Sequence, residues 1–396
     1  MHPKFKALVF SILIPLINSV YAAAPADTSA GAGSTGYQDN AIVLTNQRPV
    51  FKFSGFGSLG VSHSSMKYGD YILDSTVHEG AGLSEDWSSG NDTRLGLQLM
   101  GDFSPNVSGV VQLISEYQAD DSYYPTIEWA NLKYAFTRDV YIRAGRIALP
   151  TFLNSDHRKV GYSYPWIHPP LELYKQLQNT NSDGIDGMYR FEIGDAVNSV
   201  RFVAFGRSKI DRPTSRSISR DMWGLFDTIE NGPLTLHAGY QERYSANKTL
   251  ATGITGTYSR NSDLSVGASY DPGSWFVMSE WIQRKSSYKS SARYVSAGYR
   301  IDKFTPYVTY SQNSPGSLYS SDGPPSSTNI RLAARSQSTV SIGTRWDFMR
   351  HTDFKVQYDQ VRLSDESNGY LGNVPSGVTL YGQKFHVISA VLDFIF

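Results

Sequence analysis

The sequence has no cysteine among its 396 residues. That absence excludes disulfide scaffolds, thiolate zinc sites, Cys-ligated iron–sulfur clusters and thiol nucleophiles together. There is no excess of either charge, since 36 Lys and Arg stand against 36 Asp and Glu. Without a basic surplus, nucleic acid is not an expected partner. Long apolar runs are missing as well. Beyond the N-terminal segment no stretch approaches the roughly 20 apolar residues of a membrane-crossing helix, and mean hydropathy is −0.33. What is abundant is tyrosine (26 residues) and glycine (34 residues). This leaves a soluble β protein, or a β-barrel whose apolar residues are diluted by alternation. Length fits two or three ordinary domains or one long all-β domain.

The chain opens with Lys4 and Lys6, an apolar run from Ala7 to Ile17, and Val20-Tyr21-Ala22 at the spacing a signal peptidase reads. Residues 1–22 are therefore expected to be a cleaved export signal. The run is about half of what spans a bilayer as a helix, which argues against an anchor. Residues 23–49, rich in Ala, Gly, Ser and Thr, read as a flexible leader.

From Val50 to Phe396 the pattern is period two. In Arg94-Leu95-Gly96-Leu97-Gln98-Leu99-Met100 the leucines share one face and Arg94, Gly96 and Gln98 the other. Leu234, Leu236, Ala238 and Tyr240 repeat this, as do Val340, Ile342, Thr344 and Trp346, and then Phe354, Val356 and Tyr358. A helix would scatter each set around its circumference. Breaks alternate between tight turns, such as Ser104-Pro105-Asn106, Asn231-Gly232-Pro233 and Asp271-Pro272-Gly273, and long polar stretches at 63–90, 149–183, 208–219, 245–260, 313–336 and 364–379. Short turns at one end and long loops at the other describe an up-and-down meander.

Counting between breaks predicts sixteen strands, at 50–62, 91–104, 107–118, 125–136, 140–148, 184–194, 197–207, 220–230, 233–243, 261–270, 275–285, 291–300, 304–312, 337–348, 354–363 and 380–396. An even count lets the first and last strands meet antiparallel. The fold class is thus all-β, a sixteen-stranded antiparallel transmembrane barrel over residues 50–396. A barrel of that size leaves an aqueous channel, so the polar face is a lumen and the apolar face meets lipid. Aromatics near strand ends, among them Phe51, Phe103, Phe136, Trp346 and Phe354, fall where headgroup-level girdles would be.

The last strand places Ile388, Ala390, Leu392, Phe394 and Phe396 on one face and ends on Phe396. With it, Lys52 to Val61, Trp129 to Tyr134, Gly145-Arg146, Asp186 to Phe191 and Lys355 to Asp359 resemble the first, fourth, fifth, sixth and fifteenth strands of Gram-negative outer-membrane porins, the sixteen-stranded general-diffusion superfamily. The resemblance implies a homotrimer in the outer membrane, surrounded by lipid and lipopolysaccharide. It implies passive diffusion of small hydrophilic solutes and ions, and Phe394 and Phe396 as the signal read by the barrel-assembly machinery. It also implies that the loop after the fifth strand, 149–183, folds inward and narrows the pore.

That loop carries Asp156, His157, Arg158, Lys159, Glu172, Lys175 and Asp183, with Tyr162, Tyr164, Trp166, Tyr174 and Pro169-Pro170 to pack it. A loop this long in a compact domain is functional or disordered, and its aromatics favour order. Porins of this family oppose acidic loop residues to a basic wall. By parity the wall cations here are Lys52, Arg94, Lys133, Arg143 and Arg190, with Arg345 and Lys355 on late strands. Arg146 shares its face with Val140, Ile142 and Ala144, so it should point outward, toward a subunit contact. A specific channel for a sugar or carboxylate, with the loop aromatics as a binding track, is the rival in the same fold. An adhesin or receptor that uses the long loops is the rival of another class.

No catalytic or cofactor motif stands in its required context. Gly55, Gly57 and Gly60 match a dinucleotide pattern, but no helix follows them. Ser64 and Lys67 match Ser-x-x-Lys without its partner motifs. His157 and His168, or His63 and His78, show no metal spacing. No enzyme activity, cofactor or metal is expected.

Overall fold

A computed structural model describes residues 49–396 except 75, 178, 287 and 319–334. The expected export signal and nearly all of the leader lie outside the described residues. Sixteen antiparallel strands follow one another: β1 Val50–Ser64, β2 Arg94–Ser104, β3 Val107–Glu116, β4 Thr126–Ala135, β5 Val140–Ala148, β6 Asn181–Ile193, β7 Ala196–Asp211 and β8 Ser215–Asn231. Then come β9 Leu234–Thr249, β10 Ser259–Tyr270, β11 Trp275–Lys285, β12 Tyr288–Tyr299, β13 Phe304–Leu318, β14 Gln337–Met349, β15 Thr352–Leu363 and β16 Lys384–Ile395. A two-residue strip, Trp87–Ser88, adds to β1 from the first long loop.

Each strand pairs with its sequence neighbours, and β1 closes the sheet by pairing with both β2 and β16. At the seam Phe56 faces Ile395 and Ser64 faces Val387. Gly55 and Phe396 exchange both backbone hydrogen bonds at 2.9 Å. No sheet edge is left at the seam to template aggregation.

The two faces follow the parity read from the sequence. Phe53, Leu59, Leu132, Ile142, Phe202, Leu225 and Ile342 point outward and are exposed. A belt of that extent is untenable in water and natural in lipid. Near the short turns it is bordered by aromatic pairs, Tyr134 with Phe136, Tyr270 with Trp275, and Phe304 stacked on Trp346. Leu97 faces outward, paired with Gly55 and Leu113, whereas Gln98 accepts a lumenal hydrogen bond from Gln112 at 2.8 Å. Leu97→Arg should therefore cost roughly 2 to 4 kcal/mol if it lies near the midplane, and Gln98→Arg little. Urea unfolding in lipid vesicles measures the difference. Equal stabilities would mean that the faces are reversed.

Sequence and structure differ chiefly at the loop end. The stretch 208–219, read as a loop, continues largely as paired strand, and 245–260 does so at its two ends, with Asp211 opposite Arg216 and Ser245 opposite Ser259. Polar residues predominate on both faces there, with Ile210, Ile218 and Ala246 among them. Backbone pairing above the lipid needs no apolar side, so polar composition carried no strand signal. The last strand starts at Lys384 rather than 380, because Leu380 is claimed by a loop core with Tyr370, Leu363 and Phe385.

The glycines that mimic a dinucleotide motif have a packing role. The rings of Phe394 and Phe396 lie over Gly57 and Gly55 across the seam, where any Cβ would overlap them. Gly57→Val should displace Phe394 at a cost of about 1 to 3 kcal/mol. Deleting Phe396 removes a ring and the last two backbone bonds of the seam. Both changes are expected to lower the yield of heat-modifiable barrel on gels, and unchanged yield and mobility would show that the seam does not depend on these rings.

Candidate pore constriction

The third long loop, residues 149–180, begins where β5 ends and returns at β6. Short local structures give it shape: 3-10 turns at Ser155–His157 and Gly161–Ser163, and a single helical turn, Leu171–Tyr174, launched by Pro170 at φ −51°. Its apolar side chains then find an apolar patch on the lumen wall. Phe152, Tyr164, Trp166, Leu173, Tyr174 and Leu177 pack with Phe276, Ile282, Ala292, Tyr294 and Tyr307 of β11 to β13. Burying each large side chain contributes about 1.5 to 3 kcal/mol.

Polar anchors fix the rest of the loop around the wall. On β11, Glu280 accepts from Tyr174 OH at 2.8 Å, Tyr294 OH at 2.9 Å and Leu153 N–H at 2.9 Å. Trp166 Nε1 donates to Ser296 at 2.8 Å on β12. Glu172, 1% exposed, accepts from Ser311, Gln337 and Thr339 of β13 and β14. Arg345 donates to the Tyr162 and Tyr164 carbonyls at 2.6 and 3.0 Å, and Lys355 to the Gly161 carbonyl at 2.7 Å. At Gly161 the loop lies so close to Asp393 and Ser58 that a Cβ would collide with both. His168 bridges Asp92 at 3.2 Å and Tyr71 OH at 3.0 Å. Lys175 donates to the Ile72 and Tyr370 carbonyls, tying the third loop to the first and last long loops. Burial, and then the nearby Arg335, pulls its ammonium down to about 7.

The result is an asymmetric lumen. Lumen-facing side chains of β13 to β16, such as Thr309, Thr339, Lys355, Asp359 and Val387, are buried under the loop. Those of β2 to β5, including Arg94, Gln98, Asn131, Lys133, Tyr141 and Arg143, stay partly open. On the loop, Asp156, His157 and Lys159 also stay open, while Tyr162 lies against Arg345 of β14. On this open side Asp186, fully buried, receives Arg143 in a two-point pair at 2.9 and 2.6 Å and Arg201 at 2.6 Å. Arg143 and Arg201 thus share one carboxylate, and balancing both takes a second acid. Asp156 reaches Arg201 at 3.3 Å, and Lys159 pairs with Glu116. Lys133 lies 4.7 Å over the Tyr141 ring, and Arg158 spends its donors on the Leu177 and Tyr174 carbonyls. At the loop end a cavity of about 1220 Å³ straddles the rim, lined by Glu116 and Lys159 and also by the outward pair Arg146–Asp183.

The structure thus brings together Arg94, Lys133, Arg143, Asp156, His157, Arg158 and Lys159 of the expected site. It places the others elsewhere. Asp183 is not in the loop: β6 already starts at Asn181, and Asp183 faces outward, paired with Arg146 at 2.7 and 3.0 Å. Glu172 is a buried anchor across the barrel from Asp156, because Ser311, Gln337 and Thr339 offer it three donors there. Lys52, 3.4 Å from Asp102, and Arg190 sit near the short-turn end. Arg345 and Lys355 hold the loop rather than face the passage. Of the aromatics expected to form a track, Tyr164, Trp166 and Tyr174 are at most 3% exposed, and Tyr162 is partly open. Arg201 and Asp186 join this site as well, and the signal for them in the sequence is their lumen-side parity on β7 and β6.

No protein-family model matches the sequence, and no curated protein matches it. Solved structures do match in fold. The anion-selective porin of Comamonas acidovorans superposes with a TM-score of 0.56 at 12% identity, covering 88% of this chain and 100% of that one. OmpF of Salmonella typhi, in complex with daunomycin, gives 0.56 at 13% identity over 87% and 97%. The trimer form of OmpT, an outer-membrane protein of Vibrio cholerae, gives 0.53 at 11% over 88% and 100%. With its sheet closed through sixteen strands and its long loops gathered at one end, the chain has the fold of an outer-membrane porin.

Proposed function

We propose that the protein is a water-filled channel of the Gram-negative outer membrane, through which small hydrophilic solutes and ions diffuse passively, anions more readily than cations. The observation that carries this reading is the one-sided lumen: the third loop is fastened against β11 to β16 and leaves a polar passage along β2 to β7. Around that passage Arg94, Lys133, Arg143, Arg158, Lys159 and Arg201 outnumber Asp156, Asp186 and Glu116. Fixed charge in a narrow, low-dielectric-walled channel sets the local ion concentration.

The apolar start of the chain fits export with cleavage after Ala22, and the Phe394 and Phe396 rings at the seam fit a terminal assembly signal. The outward pair Arg146–Asp183 is a poor neighbour for lipid. It fits a subunit contact in a homotrimer. Planar-bilayer recording of the purified protein with a panel of solutes is the test. Ohmic conductance with a reversal potential favouring chloride over potassium supports the proposal. Saturation and block by a single solute would instead mark a specific channel, and absence of conductance a receptor or adhesin.

A further inference from the structure

Beneath the helical turn of the third loop, the lumen wall carries a grid of oxygen-bearing side chains. The register sets Ser311 opposite Thr339, and one row nearer the short turns it sets Thr309, Ser341 and Asp359 side by side across β13, β14 and β15. From the loop, Glu172 reaches the upper row, where it accepts from Ser311, Thr339 and, at 2.7 Å, Gln337. Both carboxylates and all four hydroxyls line one cavity of about 10 Å³. That is room for a single water-sized particle.

The negative charge of this cavity is not balanced by the protein. Glu172 and Asp359 are each 1% exposed, and no lysine or arginine among the described residues lines the cavity. His168, the basic group on its wall, is already divided between Asp92 and Tyr71 OH. Lys175, three residues beyond Glu172, donates instead to the Ile72 and Tyr370 carbonyls. Asp359 Oδ1 accepts from Gln357 at 2.8 Å, but Oδ2, buried as well, has no hydrogen-bond partner. A buried carboxylate in that state is costly unless it is paired or coordinates a metal.

We propose that Glu172 and Asp359 bind a calcium ion, with the hydroxyls of Thr309, Ser311, Thr339 and Ser341 supplying further oxygens. Two carboxylates match a divalent charge, and carboxylate and neutral oxygens are the ligands a hard cation takes. A hydroxyl that donates to Glu172 keeps a lone pair for the ion. Magnesium dehydrates reluctantly and holds on to several waters, for which the cavity has no room. With one carboxylate on the loop and the other on β15, the ion fastens the third loop to the wall. The site does not depend on conduction.

The experiment is equilibrium dialysis of the EDTA-stripped, refolded full-length protein against calcium at neutral pH, with terbium luminescence as a second readout. The native chain is expected to retain a single calcium that excess magnesium does not displace. Asp359→Asn and Glu172→Gln each remove a ligand charge with little change of shape, and each should weaken calcium binding by at least about tenfold. Asp302→Asn, on an exposed short turn, should leave it unchanged and controls for weak surface binding. Trp166 lines the cavity, so terbium bound there should show tryptophan-sensitised emission that calcium displaces. Trp166→Phe should remove most of that emission and leave calcium binding in place. Heat-modifiable mobility checks that each variant barrel has formed. Native affinity in both carboxylate variants, emission that survives Trp166→Phe, or displacement by magnesium would overturn the proposal. So would a native chain that retains no calcium, which would leave only water or a proton in the cavity.

Discussion

Shortening the third loop between Asn154 and Asn179 is expected to raise single-channel conductance several-fold. The loop is the principal filling of the barrel on the β11 to β16 side, and conductance follows the narrowest cross-section. Its removal exposes lumen residues that are already hydrophilic on β13 to β16, including Thr309, Thr339, Gln357 and Asp359, so the widened space should fill with water. Glu172→Ala is the single-residue counterpart. It leaves the donors of Ser311, Gln337 and Thr339 without their acceptor, and an unmet buried donor costs about 1 to 3 kcal/mol. Larger and noisier openings are expected as the loop frees itself from β13 and β14. Planar-bilayer recording reads both changes, and a truncated loop with native conductance would place the flow path outside it.

Most of the architecture was legible because a barrel wall writes its two solvents into alternate residues. The phase of β2, fixed by three leucines, correctly sent Arg94 and Gln98 inward, and the phase of β5 sent Arg146 outward, where it meets Asp183. The strand extensions beyond lipid were not legible, since Ser, Lys and Asn on both faces look like loop. The constriction was only half legible. Which residues the loop carries is written in the sequence, but which way each faces is decided by three-dimensional partners. Glu172 and Asp156 look alike in the sequence. One meets three donors on β13 and β14, and the other is exposed and reaches Arg201.

Neutralising the open wall is expected to invert the ion preference. Arg94→Gln, Lys133→Gln and Arg143→Gln together remove three of the cations facing the passage. Asp186 keeps Arg201 as its partner, so the triple variant does not leave a bare buried carboxylate. Permeability to potassium relative to chloride should rise severalfold. Asp156→Asn removes the exposed acid of the loop, whose side chain is 62% accessible, and should move the ratio the other way. Glu172→Gln should move it little, because that carboxyl faces the wall and not the passage. All these shifts should shrink with salt, as the Debye length falls from about 10 Å at 0.1 M to about 3 Å at 1 M. Reversal potentials across a salt gradient measure each variant directly. If the triple variant and Asp156→Asn both leave the reversal potential unchanged, ions do not pass between the third loop and the wall of β2 to β7.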